Sequence, residues 1–367
     1  MHELTYDDIK AATERITGHV RPVAVTPVTP NSSVTPLAPL APGTIRAARP
    51  GSPAHLSGEP CEVWFALEYM QHTGSFKARG AQNFIQAHRE VGTLPDTGVT
   101  IASGGNAGLA CAWAAQQQGV RATVFLPTVA PEVKVTRLRE LGADVRIVGT
   151  EYAEALEACA EFAATSGALA SHAYDHPLIA AGAGTLLEEI HARIPGLDTV
   201  VVSVGGGGLF AGVATAARHH GIRTVAVEPE NCRALNAAVE AGRPVDVPVD
   251  SIAVDSLGAR RATALALHAA RPDDVRSVLV PDSEIARARQ ELWDDHRIVV
   301  EHAASTALAA LTAANRPGTP SAPSESSAPS ESSEPGHGYR PSSGERIAVV
   351  LCGANTDPSD LVRPAAN

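Results

Sequence analysis

Lys77, in the stretch Gln71-His72-Thr73-Gly74-Ser75-Phe76-Lys77-Ala78-Arg79-Gly80-Ala81, is a candidate nucleophile. It follows the apolar run Val63-Trp64-Phe65-Ala66-Leu67, where a strand hands over to a helix. A lysine amine partly desolvated at such a place loses basicity and can attack an aldehyde. Taken alone, Ser-Phe-Lys also describes a solvated lysine at a helix start. Ser203-Val204-Gly205-Gly206-Gly207-Gly208-Leu209 runs from a buried strand through four glycines into a helix. Glycines let successive N–H groups turn toward one point, and a helix N-terminus adds positive potential, so this loop suits an anion. It lacks the Gly-Lys-Ser/Thr of a nucleotide P-loop and the G-x-G-x-x-G of a dinucleotide fold. By itself it is equally a flexible turn. Ser103-Gly104-Gly105-Asn106-Ala107-Gly108 also joins a strand to a helix, and its small residues and single amide suit a carboxylate. In isolation it reads as an ordinary N-cap turn. The late apolar run Ile347-Ala348-Val349-Val350-Leu351 ends in the small cluster Cys352-Gly353-Ala354-Asn355.

The elements that must position these residues alternate in type. Val99 to Ala102, Arg121 to Leu126, Asp144 to Val148, Thr199 to Val204 and Thr224 to Val227 read as strands. Leu109 to Gln118, Val133 to Leu141, Glu151 to Thr165 and Leu209 to His219 read as helices. Such alternation with short Gly- or Pro-marked turns predicts an α/β protein with parallel sheets covered by helices. All-apolar strands such as Val200-Val201-Val202 fit burial on both faces. Two segments break the pattern. Thr26 to Pro60 is rich in Pro, Ala, Ser and Gly. Arg316 to Gly344 carries the imperfect repeat Ser321-Ala322-Pro323-Ser324-Glu325-Ser326 / Ser327-Ala328-Pro329-Ser330-Glu331-Ser332. Both are expected to be flexible surface insertions.

The string T-G-S-F-K-x-R-G-A resembles the cofactor-lysine motif of pyridoxal-phosphate enzymes of the threonine/serine dehydratase family, fold type II, and two further motifs follow in that family's order. The resemblance covers about residues 1–25, 62–315 and 345–362. It implies that Lys77 carries the cofactor and acts as catalytic base, with Phe76 against one cofactor face and Ser256 nearest the other. It assigns the cofactor phosphate to Gly205, Gly206, Gly207, Gly208 and Leu209, and the substrate carboxylate to Ser103, Gly104, Gly105, Asn106 and Ala107. Asn106 also bonds the cofactor's 3′ oxygen, and Cys352 faces its ring nitrogen. A neutral thiol cannot keep that nitrogen protonated, which favours β-elimination over chemistry that needs a long-lived carbanion. The implied reaction is dehydration and deamination of a β-hydroxy amino acid, L-threonine or L-serine first, to a 2-oxo acid and ammonia. The cofactor phosphate then protonates the departing hydroxide. Family members that racemise serine carry a serine where this chain has Gly104, so little racemisation is expected. A β-replacement enzyme of the cysteine synthase kind and a non-catalytic scaffold stay open as alternatives.

The implied architecture has two domains, a large one from residues 1–88 and 175–367 and a small one from 89–174, with the site between them. A length of 367 residues accommodates both cores. The net charge of −11 argues against a nucleic-acid partner. No apolar run approaches the roughly 20 residues of a membrane helix, and the polar start Met1-His2-Glu3-Leu4-Thr5-Tyr6-Asp7-Asp8 is unlike a targeting peptide. A cytoplasmic homodimer is expected, without a regulatory domain beyond residue 362. The five cysteines show no metal or disulfide spacing. Glu228 stands where metal-binding relatives begin a divalent site, but Ala234 replaces the Asp expected six residues on. No divalent metal is therefore expected, and a monovalent cation stays open. Gly182-Ala183-Gly184-Thr185 departs from the family's G-Q-G-T by one side chain, and His172, Asp175 and His176 read as a surface cluster.

Overall fold

The computed structural model describes residues 3–28, 61–314 and 338–362. Along the chain come α1 (Tyr6–Ile16), β1 (Val25–Pro27), β2 (Glu62–Ala66), α2 (Lys77–Glu90), β3 (Val99–Ala102) and α3 (Asn106–Gln117). Next are β4 (Ala122–Leu126), α4 (Glu132–Glu140), β5 (Asp144–Ile147), α5 (Tyr152–Ser166), β6 (Leu169–Ala170) and α6 (Pro177–Arg193). Then follow β7 (Thr199–Ser203), α7 (Gly208–His219), β8 (Arg223–Pro229), α8 (Ala234–Ala241), α9 (Val254–Leu257) and α10 (Ala264–Ala270). The described chain closes with β9 (Val275–Val280), α11 (Asp282–His296), α12 (His302–Ala314) and β10 (Arg346–Val350).

These strands form two sheets, in the orders β1-β2-β10-β7-β8-β9 and β5-β4-β3-β6. All pairings are parallel except that of β1 with β2. The fold is therefore α/β with helix-covered parallel sheets, as the alternation predicts. Every strand of the four-stranded sheet lies within residues 89–174, and every strand of the six-stranded sheet lies outside it. β7 is buried at every position, as its unbroken apolar sequence requires of a strand covered on both faces. The core on the four-stranded sheet borrows Phe84 and Ile85 from α2 and Ile179 from α6.

Glycines let three helices pack closely behind the larger sheet. A Cβ at Gly80 would lie 2.7 Å from the Ile179 carbonyl oxygen, and one at Gly212 only 2.2 Å from that of Ala180. The backbones of α2, α6 and α7 thus meet where side chains would hold them apart. In the 182–185 stretch, a Cβ at Gly184 would sit 2.8 Å from the Gly212 carbonyl oxygen, so small size is what this turn of α6 supplies.

Both expected insertions are shorter than their sequence suggests. Thr26 and Pro27 belong to β1, in register with Phe65 and Trp64, and the Val28 N–H donates to the Val63 carbonyl. Their Pro- and Thr-rich composition hides an edge strand, where a proline that cannot donate is tolerated. At the other segment's end, the Tyr339 N–H donates to the Ala310 carbonyl at 2.7 Å and its hydroxyl bonds Glu345. Residues 29–60 and 316–337, which include the Ser/Pro repeat, lie outside the described residues.

Candidate active site

β2, β10 and β7 are parallel neighbours, so their C-terminal ends share one edge. Those ends lead to Lys77, Cys352 and the four glycines. Ligands of open α/β sheets bind at such an edge. The C-terminal end of β3, from the other sheet, supplies Ser103 to Asn106. Together they line a cleft of about 560 Å³ that includes residues 103–107 and 205–209 in full, with Phe76, Lys77, Ser256 and Cys352.

Lys77 opens α2 after two tight turns in which Thr73 (φ 60°) and Gly74 (φ 76°) are left-handed. A short antiparallel bridge, Ser75 with Gly353, ties this turn to the end of β10. The Phe76 N–H donates to the Cys352 carbonyl at 3.0 Å, and the Ala354 N–H to that of Gly74 at 2.9 Å. The lysine is thus fixed against the last described strand, β10, before its helix begins. Its Nζ donates to the Ala173 carbonyl at 2.7 Å and lies 4.8 Å from the Phe76 ring centre. Burial lowers its pKa to about 8, opposed by the acidic groups of Cys352 and Glu301. A neutral amine is therefore available near neutrality.

Gly207, at φ 98°, is the left-handed N-cap of α7. A Cβ at Gly206 would fall 2.2 Å from the Tyr174 ring, and one at Gly207 2.3 Å from Ala266 Cβ. Only glycine fits at both positions, and the loop delivers them to the N-terminus of α7, whose first amides have no intrahelical partner. Opposite, Gly105 caps α3 and Asn106 begins it. The Asn106 Nδ2 donates to both Glu301 oxygens at 2.9 and 3.0 Å, and its Oδ1 accepts from Asn355 Nδ2 at 2.7 Å. Cys352 Sγ is buried 3.6 Å from Ser203 Oγ. Burial first, and then the Glu301 carboxylate, push this thiol up to about 12, so it stays neutral.

Among the cleft residues that sequence reasoning passed over are Glu301, Tyr174, Lys134 and Tyr152. Glu301 had a signal, being a lone carboxylate within Ile298-Val299-Val300-Glu301-His302-Ala303-Ala304, where a charge in an apolar run is either buried or functional. His172 and His176 serve their own backbone. His172 Nδ1 accepts from the Tyr174 and Asp175 N–H groups, and His176 Nδ1 from that of Leu178 at the start of α6.

Glu228, at the end of β8, caps α8. Its two oxygens accept from the Leu235 and Asn236 N–H groups at 2.7 and 2.8 Å. Among the described residues no cluster of three or more His, Cys, Asp or Glu could hold a metal ion. Adding magnesium or EDTA should therefore move Tm by less than about 1 °C, because an ion that binds neither state shifts no equilibrium. Differential scanning fluorimetry checks this, and a shift of many degrees would mean that other ligands complete a site. Nor is any described helix long and apolar enough to cross a membrane.

A lysine with lowered pKa beside an aromatic ring, a glycine anion cradle and a neutral thiol fit pyridoxal phosphate, which needs an amine for its aldehyde and N–H donors for its phosphate. The family model for pyridoxal-phosphate dependent enzymes matches residues 35–323, and the chain belongs to that family. Among named relatives, the L-threonine ammonia-lyase of Geobacter sulfurreducens is 35% identical over 68% of this chain and 62% of its own. The chain thus spans less than two thirds of that relative. The serine dehydratase-like protein of Rattus norvegicus is 37% identical over 70% of this chain and 78% of its own. Two solved structures share the fold. Maize serine racemase superposes with a TM-score of 0.78 at 24% identity, covering 98% of this chain and 96% of its own. Threonine deaminase isoform 2 of Solanum lycopersicum has a TM-score of 0.69 at 25% identity, covering 82% and 83%.

Proposed function

We propose that this chain is a pyridoxal-phosphate-dependent ammonia-lyase that dehydrates and deaminates a β-hydroxy amino acid, L-threonine or L-serine, to a 2-oxo acid and ammonia. The observation that carries the reading is convergence on one cleft of the half-buried Lys77 with its lowered pKa, the glycine cradle and the start of α3 with Asn106. The names of the relatives agree with it. When bound, the cofactor supplies the electron sink that lets a proton leave the α-carbon and hydroxide leave the β-carbon.

The chain's own residues do the rest. Lys77 would hold the cofactor until the substrate's amino group takes its place, and the Nζ so freed would accept the α-proton, a role open to an amine with a pKa of about 8. The residues 205–209 bind the phosphate through N–H groups, and residues 103–107 bind the substrate carboxylate. Phe76 and Ser256, which line the cleft, would hold the cofactor ring, and Asn106 would donate to its 3′ oxygen. The neutral Cys352 thiol withholds a formal charge from the ring nitrogen. That weakens the sink and favours fast departure of the leaving group. Gly104 offers no side chain to return a proton on the face opposite Lys77, and a Cβ there would lie 2.9 Å from Leu126 Cδ2. The reading includes the large domain of residues 1–88 and 175–367 and the small one of 89–174, supported by the strand partition.

A panel of β-hydroxy amino acids tests the proposal by ammonia and 2-oxo acid release, with chiral chromatography of the L-serine reaction. The expected result is 2-oxo acid from L-threonine or L-serine and little D-serine. D-serine accumulating as fast as pyruvate, or no ammonia from any member, would overturn it.

A further inference from the structure

We propose that Glu301 is a positioning residue that fixes which way the Asn106 amide faces, so that one Asn106 N–H is presented to the cofactor. The inference rests on the reading that the cleft holds pyridoxal phosphate. Glu301 is 7% exposed and stands just before α12. Three donor groups converge on it through four hydrogen bonds. Asn106 Nδ2 reaches both oxygens, Ser256 Oγ donates to Oε2 at 2.7 Å, and the Asn355 N–H donates to Oε1 at 2.8 Å. Across the same amide, Asn106 Oδ1 accepts from Asn355 Nδ2, which in turn is anchored by donating to the Thr73 carbonyl at 2.7 Å.

In each of these four bonds the Glu301 carboxylate is the acceptor. Turning the Asn106 amide over would set its oxygen against Glu301 and its NH2 against the NH2 of Asn355, two repulsive contacts in place of two bonds. One orientation therefore survives. In it Nδ2 faces the carboxylate with one hydrogen and keeps the second for a ligand, since an amide nitrogen carries two. Asn106 comes from the four-stranded sheet's side of the cleft, whereas Glu301, Ser256 and Asn355 come from the other. The same bonds thus span the cleft and join its walls.

Glu301→Gln keeps size and shape but replaces one acceptor by a donor, which removes the preference. Four proteins should be compared: the parent, Glu301→Gln, Asn106→Ala and the double variant. The measurements are apoprotein Tm, pyridoxal phosphate Kd and the pH midpoint of the bound cofactor's visible band. Glu301→Gln should keep the parent's Tm within a few degrees, weaken Kd by about tenfold, the order expected when a hydrogen bond with a charged partner is lost, and displace the pH midpoint. In the double variant the Glu301 change should add nothing to Asn106→Ala, because the two residues act as one unit. A Glu301→Gln protein with the parent's Kd and pH midpoint would overturn the inference while leaving the cofactor reading intact, as would effects that add in the double variant. A parent that binds no pyridoxal phosphate would sink both.

Discussion

Lys77→Ala should yield a folded protein without the cofactor's visible absorbance and with turnover reduced by at least about 10³-fold, since the proposed covalent anchor and base would vanish together. Fold should survive because, among the described residues, the side chain's only hydrogen bond is to the Ala173 carbonyl, and because burying its ammonium opposes folding. The parent apoprotein offers a companion measurement. With a pKa lowered from 10.5 to about 8, the neutral fraction of the amine rises with pH through about 8. Its rate of combining with added pyridoxal phosphate should climb over the same interval, which stopped-flow absorbance can follow. A variant with normal absorbance and normal 2-oxo acid output would remove Lys77 from the site, and a rate midpoint near 10 would mean that the amine is solvated.

Arg79→Met should cost about 3–5 kcal/mol of stability, the usual penalty for removing one partner of a buried ion pair. Arg79 is fully buried two residues beyond Lys77. Its Nε and Nη2 bond the two oxygens of Glu68 at 2.7 and 3.0 Å, and Nη1 bonds Glu189 at 2.6 Å and Thr185 at 3.2 Å. This fork holds Arg79 charged and pins the start of α2 to the preceding turn and to α6. Removing it leaves the Glu68 carboxylate, 1% exposed, without its counter-charge. Chemical denaturation should report the loss, and adding Glu68→Gln should recover part of it by removing the stranded charge. A single variant within about 0.5 kcal/mol of the parent, the usual range for exposed pairs, would show that the network contributes little.

What could be read from the sequence has a physical boundary. Lys77, the four glycines and Asn106 could be found because each lies at a strand-to-helix junction whose local sequence states its conformation. Small residues there are demanded by backbone geometry, as Gly206 and Gly207 illustrate against Tyr174 and Ala266. Glu301 could not be given a role in this way. Its partners lie 195, 45 and 54 positions away along the chain, and nothing local announces that they meet. Tyr174 was hidden likewise among His172, Asp175 and His176, which read as a surface cluster. β1 was missed for the opposite reason: Val25-Thr26-Pro27 is too short to show alternation, and its pairing with β2 decides its state.

The pairing of β2 with β10 also orders the protein's biogenesis. Glu62–Ala66 is among the earlier segments to leave the ribosome, whereas its neighbour Arg346–Val350 is made some 280 residues later. Until then β2 and β7 have no strand between them, and the Ser75–Gly353 bridge that fixes the reactive lysine cannot close. Pairing of such long sequence separation forms late, because the intervening chain must first be brought together. A nascent chain therefore carries Lys77 without the setting that makes it reactive. On the proposed reading of Lys77, aldehyde capture waits for a polypeptide already extended past residue 353, and strand order sets the timing of activation.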